Sequence, residues 1–274
     1  MSNHNSFEGL FDPSTERIDR INEDLTLISQ KDGLLFGTDS YLLAAFSKAN
    51  SSGVAVEFGA GCGAVSLLVS QRDKYSLVKA VEIRDTSASI CKRNAILNGL
   101  ENKIEVINAD VRSLTQKRFG GSVDAVISNP PYMMPGTGKR NDNDELNFAR
   151  RELNGNIFDF CSSAGKILKY GGTLTVVWKP ERICDLFCTM RESKIEPKRV
   201  IFVHPFRDAP PSLVLVEGKS GAAPGIVYSR PLVIYEKRSD GKYTSDADRI
   251  YETFSTDHLF CDVEKFPCDT ENRK

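Results

Sequence analysis

The stretch Val54-Ala55-Val56-Glu57-Phe58-Gly59-Ala60-Gly61-Cys62-Gly63-Ala64 decides the fold. Val54–Phe58 is a short apolar run, as expected of a strand in the interior of a sheet. Alternating glycines follow, and the helix-forming run Ala64–Ser70 opens directly behind them. Glycine adopts backbone conformations that a Cβ forbids and lets the main chain pass close to a ligand. A strand that turns through glycines into a helix is the first unit of an open α/β sheet. Its turn lies at the strand's carboxyl end, beside the crevice where such sheets bind ligands.

The alternation continues downstream. Ala80–Ile83 reads as a second strand, and Asp85 is placed to cap a helix that Gly99 ends, with Ala88, Cys91 and Ala95 on one face. Ile104–Ile107 and Val123–Ser128 read as the third and fourth strands, and Phe158–Leu168 as helical. Thr173–Trp178 is a strand, Glu181–Ser193 helical, and Val200–Val203 and Leu213–Glu217 are strands. This order predicts a mostly parallel sheet with helices on both faces. Upstream, Leu25–Phe36 reads as a β-hairpin turning at Asp32-Gly33, and Asp39 or Ser40 is placed to cap a short helix through Leu42, Leu43 and Phe46. Past Glu217 come a small-residue loop at Gly218–Gly225, an extended segment at Val227–Tyr235 and helical residues 246–254. The expected organisation is an N-terminal extension over 1–53, an α/β domain over 54–218, and a C-terminal extension over 219–274 packed on that domain.

The 274 residues are 40% hydrophobic and 27% charged, enough for one large α/β domain with extensions. Lys and Arg number 36 against 37 Asp and Glu, so there is no global cationic field, and a nucleic-acid partner would have to meet a local patch. Met1–Asp24 lacks the apolar core of a signal peptide, and no apolar run of about 18 residues follows, so a cytoplasmic protein without membrane contact is expected. The seven cysteines contain no CxxC pair, which suits reduced thiols. Cys184 and Cys188 stand one helical turn apart, but His4, His204 and His258 are remote from them in sequence, so no metal is expected.

Glu82 closes the second strand about 20 residues beyond the glycines, where a carboxylate can accept from two ribose hydroxyls. Gly59, Gly61 and Ala64 also satisfy the dinucleotide pattern GxGxx(G/A), so the turn alone leaves NAD open. Glu57, just before the turn, would repel a pyrophosphate but tolerate an amino group, and Asp110 after the third strand offers an acceptor to an adenine amino group. Both favour a cationic, adenosine-bearing cofactor.

Asn129-Pro130-Pro131-Tyr132 directly follows the fourth strand. Pro130 biases Asn129 toward extended backbone and Pro131 fixes the next φ, so the segment is stiff. The Asn129 amide oxygen and the Pro130 carbonyl form a pair of acceptors for the two hydrogens of a planar, unreactive NH2 group. Acceptors held ready stabilise the positive charge that grows on nitrogen as it attacks a methyl group. Tyr132 offers a ring on which a base can stack, worth about 1–3 kcal/mol.

Together, the ExGxGxG run Glu57–Gly63, Glu82, Asp110 and NPPY resemble the class I, Rossmann-like amino-methyltransferases over residues 54–218. The resemblance implies a seven-stranded sheet whose last strand, Leu213–Glu217, is antiparallel, and S-adenosylmethionine as cofactor. It implies that Glu57, Gly59, Gly61 and Gly63 border the methionine part, Glu82 and Ile83 the ribose, and Asp110 and Val111 the adenine. Thr38 and Asn129 also border the cofactor, and Asn129, Pro130, Pro131 and Tyr132 form the catalytic loop. Closer similarity is to the bacterial tRNA(Val) adenine-N6 methyltransferases and their "methyltransferase small" relatives. It is carried further by Glu16-Arg17-Ile18-Asp19, Phe36-Gly37-Thr38-Asp39 with Leu42-Leu43-Ala44, Ala149-Arg150-Arg151-Glu152 and Arg230-Pro231-Leu232-Val233-Ile234-Tyr235. Relatives often carry His where Arg151 stands, so Arg151 receives no role.

The implied reaction is methylation of N6 of an anticodon-loop adenine in a valine tRNA, with no obligate protein partner. The same loop serves the protein-glutamine methyltransferases of release factors, but those carry a helical domain in front, where this chain has a hairpin. The other readings left open are an amino-methyltransferase of other RNA or DNA, a non-catalytic RNA-interaction protein and an NAD-dependent enzyme. Candidate phosphate contacts are Lys139, Arg140, Arg150, Arg151, Lys179, Arg182, Lys198, Arg199 and Arg207.

Overall fold

In the computed structural model, residues 9–33, 36–130, 156–239 and 241–260 are described. The chain opens with a hairpin, β1 (Glu16–Arg20) antiparallel to β2 (Thr26–Gln30). Its turn is not at Asp32-Gly33 but one strand earlier. Asn22 Oδ1 accepts from the Asp24 and Leu25 N–H groups at 2.9 and 2.8 Å, an Asx turn that competes with any glycine turn. The first strand carries no apolar alternation to betray it. It is anchored instead by Glu16, buried and paired with Arg93.

Next come α1 (Thr38–Phe46), β3 (Asn50–Phe58), α2 (Ala64–Gln71), β4 (Tyr75–Glu82), α3 (Asp85–Leu97), β5 (Ile104–Asn108) and β6 (Val123–Ser128). They are followed by α4 (Ile157–Ile167), β7 (Leu168–Trp178), α5 (Ile183–Glu192), β8 (Ile195–His204) and β9 (Leu213–Ser220). The sheet order runs β8-β9-β7-β6-β3-β4-β5, parallel except for β9, which is antiparallel to both neighbours. Two short strands from the tail, β10 (Val227–Tyr228) and β11 (Leu232–Val233), add in parallel to the outer edge of β8. The seven strands expected over 54–218 are present with the last antiparallel, and the two tail strands bring the sheet to nine among the described residues. Strands of two residues are too short to show a hydrophobic period.

Side chains of β3 alternate between the two faces. Ala55 joins a core with α1, α2 and α3, whereas Val56 and Phe58 join one with α4 and α5. The tail helix α6 (Ser245–Thr253) closes the first core through Ile250. Among the described residues no helix is long and apolar enough to cross a membrane.

Two helix starts differ from expectation. The N-cap of α1 is Gly37, with Asp39 inside the first turn, and the N-cap of α3 is Arg84, with Asp85 as its first helical residue. Both carboxylates sit where the helix dipole favours negative charge, so the residue type is right and the position one or two places off. At the other end of α1, buried Lys74 donates to the carbonyls of Ala44, Ala45 and Ser47 at 2.8, 2.9 and 2.6 Å. Burial pushes its ammonium down to about 7, and these contacts satisfy the carbonyls left over at the end of α1.

Candidate active site

β3, β4, β5 and β6 lie side by side and parallel, so their carboxyl ends bring the candidate residues to one edge of the sheet. After β3, Gly59, Gly61 and Gly63 hold φ of +68°, +57° and +87°, in the left-handed region that a Cβ penalises. A Cβ on Gly63 would lie 2.5 Å from Cys91 Sγ, while one on Gly61 would meet no atom within 4 Å. The loop is thus packed on α3 at one end and open in the middle. The Ala60 N–H donates to Val81 O at 3.0 Å, the Gly61 N–H to Glu82 Oε2 at 2.8 Å, and Asn94 Nδ2 to Cys62 O at 2.9 Å. Asn94, fully buried on α3, also exchanges hydrogen bonds with both backbone groups of Ile28, tying the hairpin to the same loop.

Glu57 points beneath the loop. Its Oε2 accepts the Ser66 N–H at 2.9 Å and the Ser66 hydroxyl, which secures the first turn of α2. Burial pushes this carboxyl up to about 7. Glu82 is buried at the end of β4, with Oε1 accepting from the Arg84 N–H at 3.0 Å and its Nε at 3.2 Å. Ile83, half-buried, continues from it. Asp110 follows β5 and is gripped by Arg112, whose backbone N–H reaches Oδ1 at 2.8 Å and whose guanidinium spans both oxygens. That hydrogen-bonded guanidinium holds the Asp110 carboxyl below the usual range. An adenine amino group arriving at Asp110 would share or displace Arg112. Val111 is buried in the core with α4.

Asn129 follows β6, and its Nδ2 donates to Asp39 Oδ2 at 2.9 Å, with Ser40 Oγ at 3.5 Å. Thr38 is the first residue of the same helix, so α1 delivers its amino end to Asn129. Pro130 is buried. Pro131 and Tyr132 lie outside the described residues, as do Lys139, Arg140, Arg150 and Arg151.

Residues 31–192 match the family model described as the methyltransferase small domain. The chain belongs to that family. The matched span contains every residue of the crevice, from Thr38 to Asn129, so the chain is a methyltransferase. Among curated relatives, the tRNA1(Val) (adenine(37)-N6)-methyltransferase of Bacteroides fragilis is 29% identical over 195 residues, 71% of this chain and 81% of that one. The protein of the same name from Parabacteroides distasonis is 26% identical over 194 residues, 70% of this chain and 79% of that one. Among solved structures, a predicted O-methyltransferase from Agrobacterium tumefaciens superposes with a TM-score of 0.63 at 22% identity, over 80% of this chain and 97% of that one. M. jannaschii TYW2 in complex with AdoMet superposes with a TM-score of 0.52 at 18% identity, over 76% of this chain and 87% of that one. These structural likenesses show a shared fold.

In this methyltransferase the basic residues expected to meet phosphate divide sharply. Arg199 is buried, paired with Glu217 at 3.4 Å and Asp257 at 3.0 Å, and packs against the rings of Phe46 and Phe260. It is a core cation, not an RNA contact. Arg182 packs on Trp178 and pairs with Asp185. Lys198 is half-buried and donates to Ala223 O, and Arg207 is exposed on the rim of a second cavity with His204 and Tyr235. Lys179 is half-buried. Beside Thr38 lies a cavity of about 470 Å³ lined by Phe36, Tyr41, Tyr243, Tyr251 and Arg72, bringing the tail against α1. Tyr243 and Tyr251 lie 4.9 Å apart centre to centre. Sequence reading missed this aromatic wall and the Asp39–Asn129 contact. Among the described residues no cluster of His, Cys, Asp or Glu is arranged to hold a metal.

Proposed function

We propose that this methyltransferase transfers a methyl group to N6 of an adenine in RNA, with the anticodon loop of a valine tRNA as substrate. The methyl donor is S-adenosylmethionine, which supplies an activated methyl carbon on a sulfonium. The crevice suits it. The left-handed glycine loop is open at Gly61, where a Cβ would meet nothing, and the Glu82 carboxylate stands at the end of the neighbouring strand. The loop backbone would border the methionine part, Glu82 and Ile83 the ribose, and Asp110 and Val111 the base. Thr38 would close the side formed by α1. Glu57 acts from below the loop, as support for α2.

The observation that carries the reading is the setting of Asn129. Its amide nitrogen is engaged by Asp39, which fixes which end of the amide is which and leaves Oδ1 as the acceptor end. Asn129 Oδ1 and the Pro130 carbonyl would take the two hydrogens of the adenine amino group and turn its lone pair toward the methyl carbon. They stabilise the cation that forms, and the methylated ammonium then gives its proton to water without a dedicated base. An adenine in an anticodon loop is unpaired, so drawing it into the crevice costs less than flipping a duplex base. The curated relatives named for adenine(37)-N6 methylation of tRNA1(Val) support the choice of substrate. The tail supports the reading of residues 219–274 as an extension of the same domain, because β10 and β11 add to its sheet.

The test is mass spectrometry of tRNA nucleosides from a strain lacking the gene. One N6-methyladenosine should disappear and return on complementation. An unchanged tRNA profile, with a methylated glutamine lost from a protein instead, would overturn the reading.

A further inference from the structure

We infer that Asp39 is a positioning residue for Asn129, and that its carboxylate decides which acceptor side chain position 129 can carry. The inference rests on the role given to Asn129 above. A side-chain amide has an acceptor end and a donor end of nearly equal shape. Only the oxygen helps a substrate amino group; turned around, Asn129 would present N–H to N–H. Asp39 separates the two orientations. An ionised carboxylate accepts and never donates, so Oδ2 at 2.9 Å from Asn129 Nδ2 admits one orientation only.

Asp39 is itself held in place. Its Oδ1 accepts the Ser40 N–H at 2.7 Å, and it sits in the first turn of α1, where the dipole favours an anion. Gly37 makes room for the carboxylate, since a Cβ there would lie 2.9 Å from Asp39 Oδ1. Both carboxylate oxygens thus face N–H groups, which an amide cannot satisfy. In Asp39→Asn, whichever way the new side chain turns, its NH2 meets either the Ser40 N–H or the Asn129 NH2. Asn129→Asp fails for the opposite reason, because two carboxylates then meet across the same short gap. Combining the two changes removes both conflicts. The new amide at position 39 keeps its oxygen on the Ser40 N–H and donates its NH2 to the new carboxylate at position 129. That carboxylate still offers an acceptor to the substrate.

The experiment is this four-member set, wild type, Asp39→Asn, Asn129→Asp and the double variant, read by turnover on tRNA, by S-adenosylmethionine affinity and by melting temperature. Each single change should lower kcat about 10- to 100-fold, the range over which charged hydrogen bonds contribute, with donor affinity within about twofold of wild type. The double variant should recover at least about tenfold over the poorer single variant and regain the melting temperature that each single variant loses. A double variant no faster than the poorer single one, or Asp39→Asn at wild-type turnover, overturns the positioning role. If the wild type leaves RNA adenines untouched, the substrate reading fails on its own. The pairing of 39 with 129 is then still decided by the melting temperatures, and their failure to recover sinks it.

Discussion

Replacing Glu57 by glutamine should make the protein more stable at neutral and alkaline pH while leaving it unchanged in mild acid. The carboxyl is buried, and both of its hydrogen bonds, from the Ser66 N–H and hydroxyl, go to the single oxygen Oε2. A glutamine oxygen can accept both, so the substitution removes the charge and keeps the contacts. Burial raises the folded carboxyl from 4.5 to about 7. The folded protein therefore holds this proton over a range where the unfolded chain has released it. The stabilisation is complete below pH 4.5 and is lost as pH rises through about 7. The shift corresponds to about 3 kcal/mol in wild type between those limits. Urea denaturation followed by circular dichroism from pH 4.5 to 8.5 reads this directly. The wild-type curve should fall relative to Glu57→Gln by up to about 3 kcal/mol, with the two meeting near pH 5. Parallel curves across the whole range would show that Glu57 is ionised in the folded protein and would refute its burial-driven shift.

Gly63→Ala should destabilise the fold by about 2 kcal/mol or more, since φ is +87° and the new Cβ meets Cys91 Sγ at 2.5 Å; thermal melts should show Cys91→Ala restoring the part due to the clash. Glu82→Ala should weaken S-adenosylmethionine binding about 10- to 100-fold by calorimetry, and unchanged affinity would remove Glu82 from the donor site. Arg199→Ala should cost about 3 kcal/mol in denaturant melts, because it leaves buried Glu217 to the Lys48 ammonium 3.7 Å away, without the buried guanidinium. If it instead leaves stability intact and lowers only RNA affinity, Arg199 is a phosphate contact after all.

Local chemistry explains why the candidate residues stand out in the sequence. The glycine run, Asp110 and NPPY come just after strands and Glu82 ends one, and parallel strands gather their carboxyl ends at one edge whatever the side chains between them. What escapes is set by partners far along the chain. Asp39 reads as a helix cap until Asn129, 90 residues away, arrives beside it. Arg199 reads as a phosphate contact because Asp257, one of the acids paired with it, lies 58 residues on. The hairpin is misplaced by one strand because β1 is charged and is held by Arg93 of α3, a contact with no signature in β1 itself. Asp110 shows the converse. Its type and place fit an adenine contact, yet Arg112 two residues on already grips it.

The central requirement is that the oxygen of Asn129 serves the methyl transfer itself. Single-turnover methylation of a valine tRNA transcript by wild type and Asn129→Ala, with saturating S-adenosylmethionine and nucleoside mass spectrometry of the product, measures this directly. Wild type should place one methyl on N6 of an anticodon-loop adenine. Asn129→Ala should bind the donor normally and react about 100- to 1,000-fold more slowly, as when one preorganised transition-state contact is removed. A variant that reacts at close to the wild-type rate would contradict the claim.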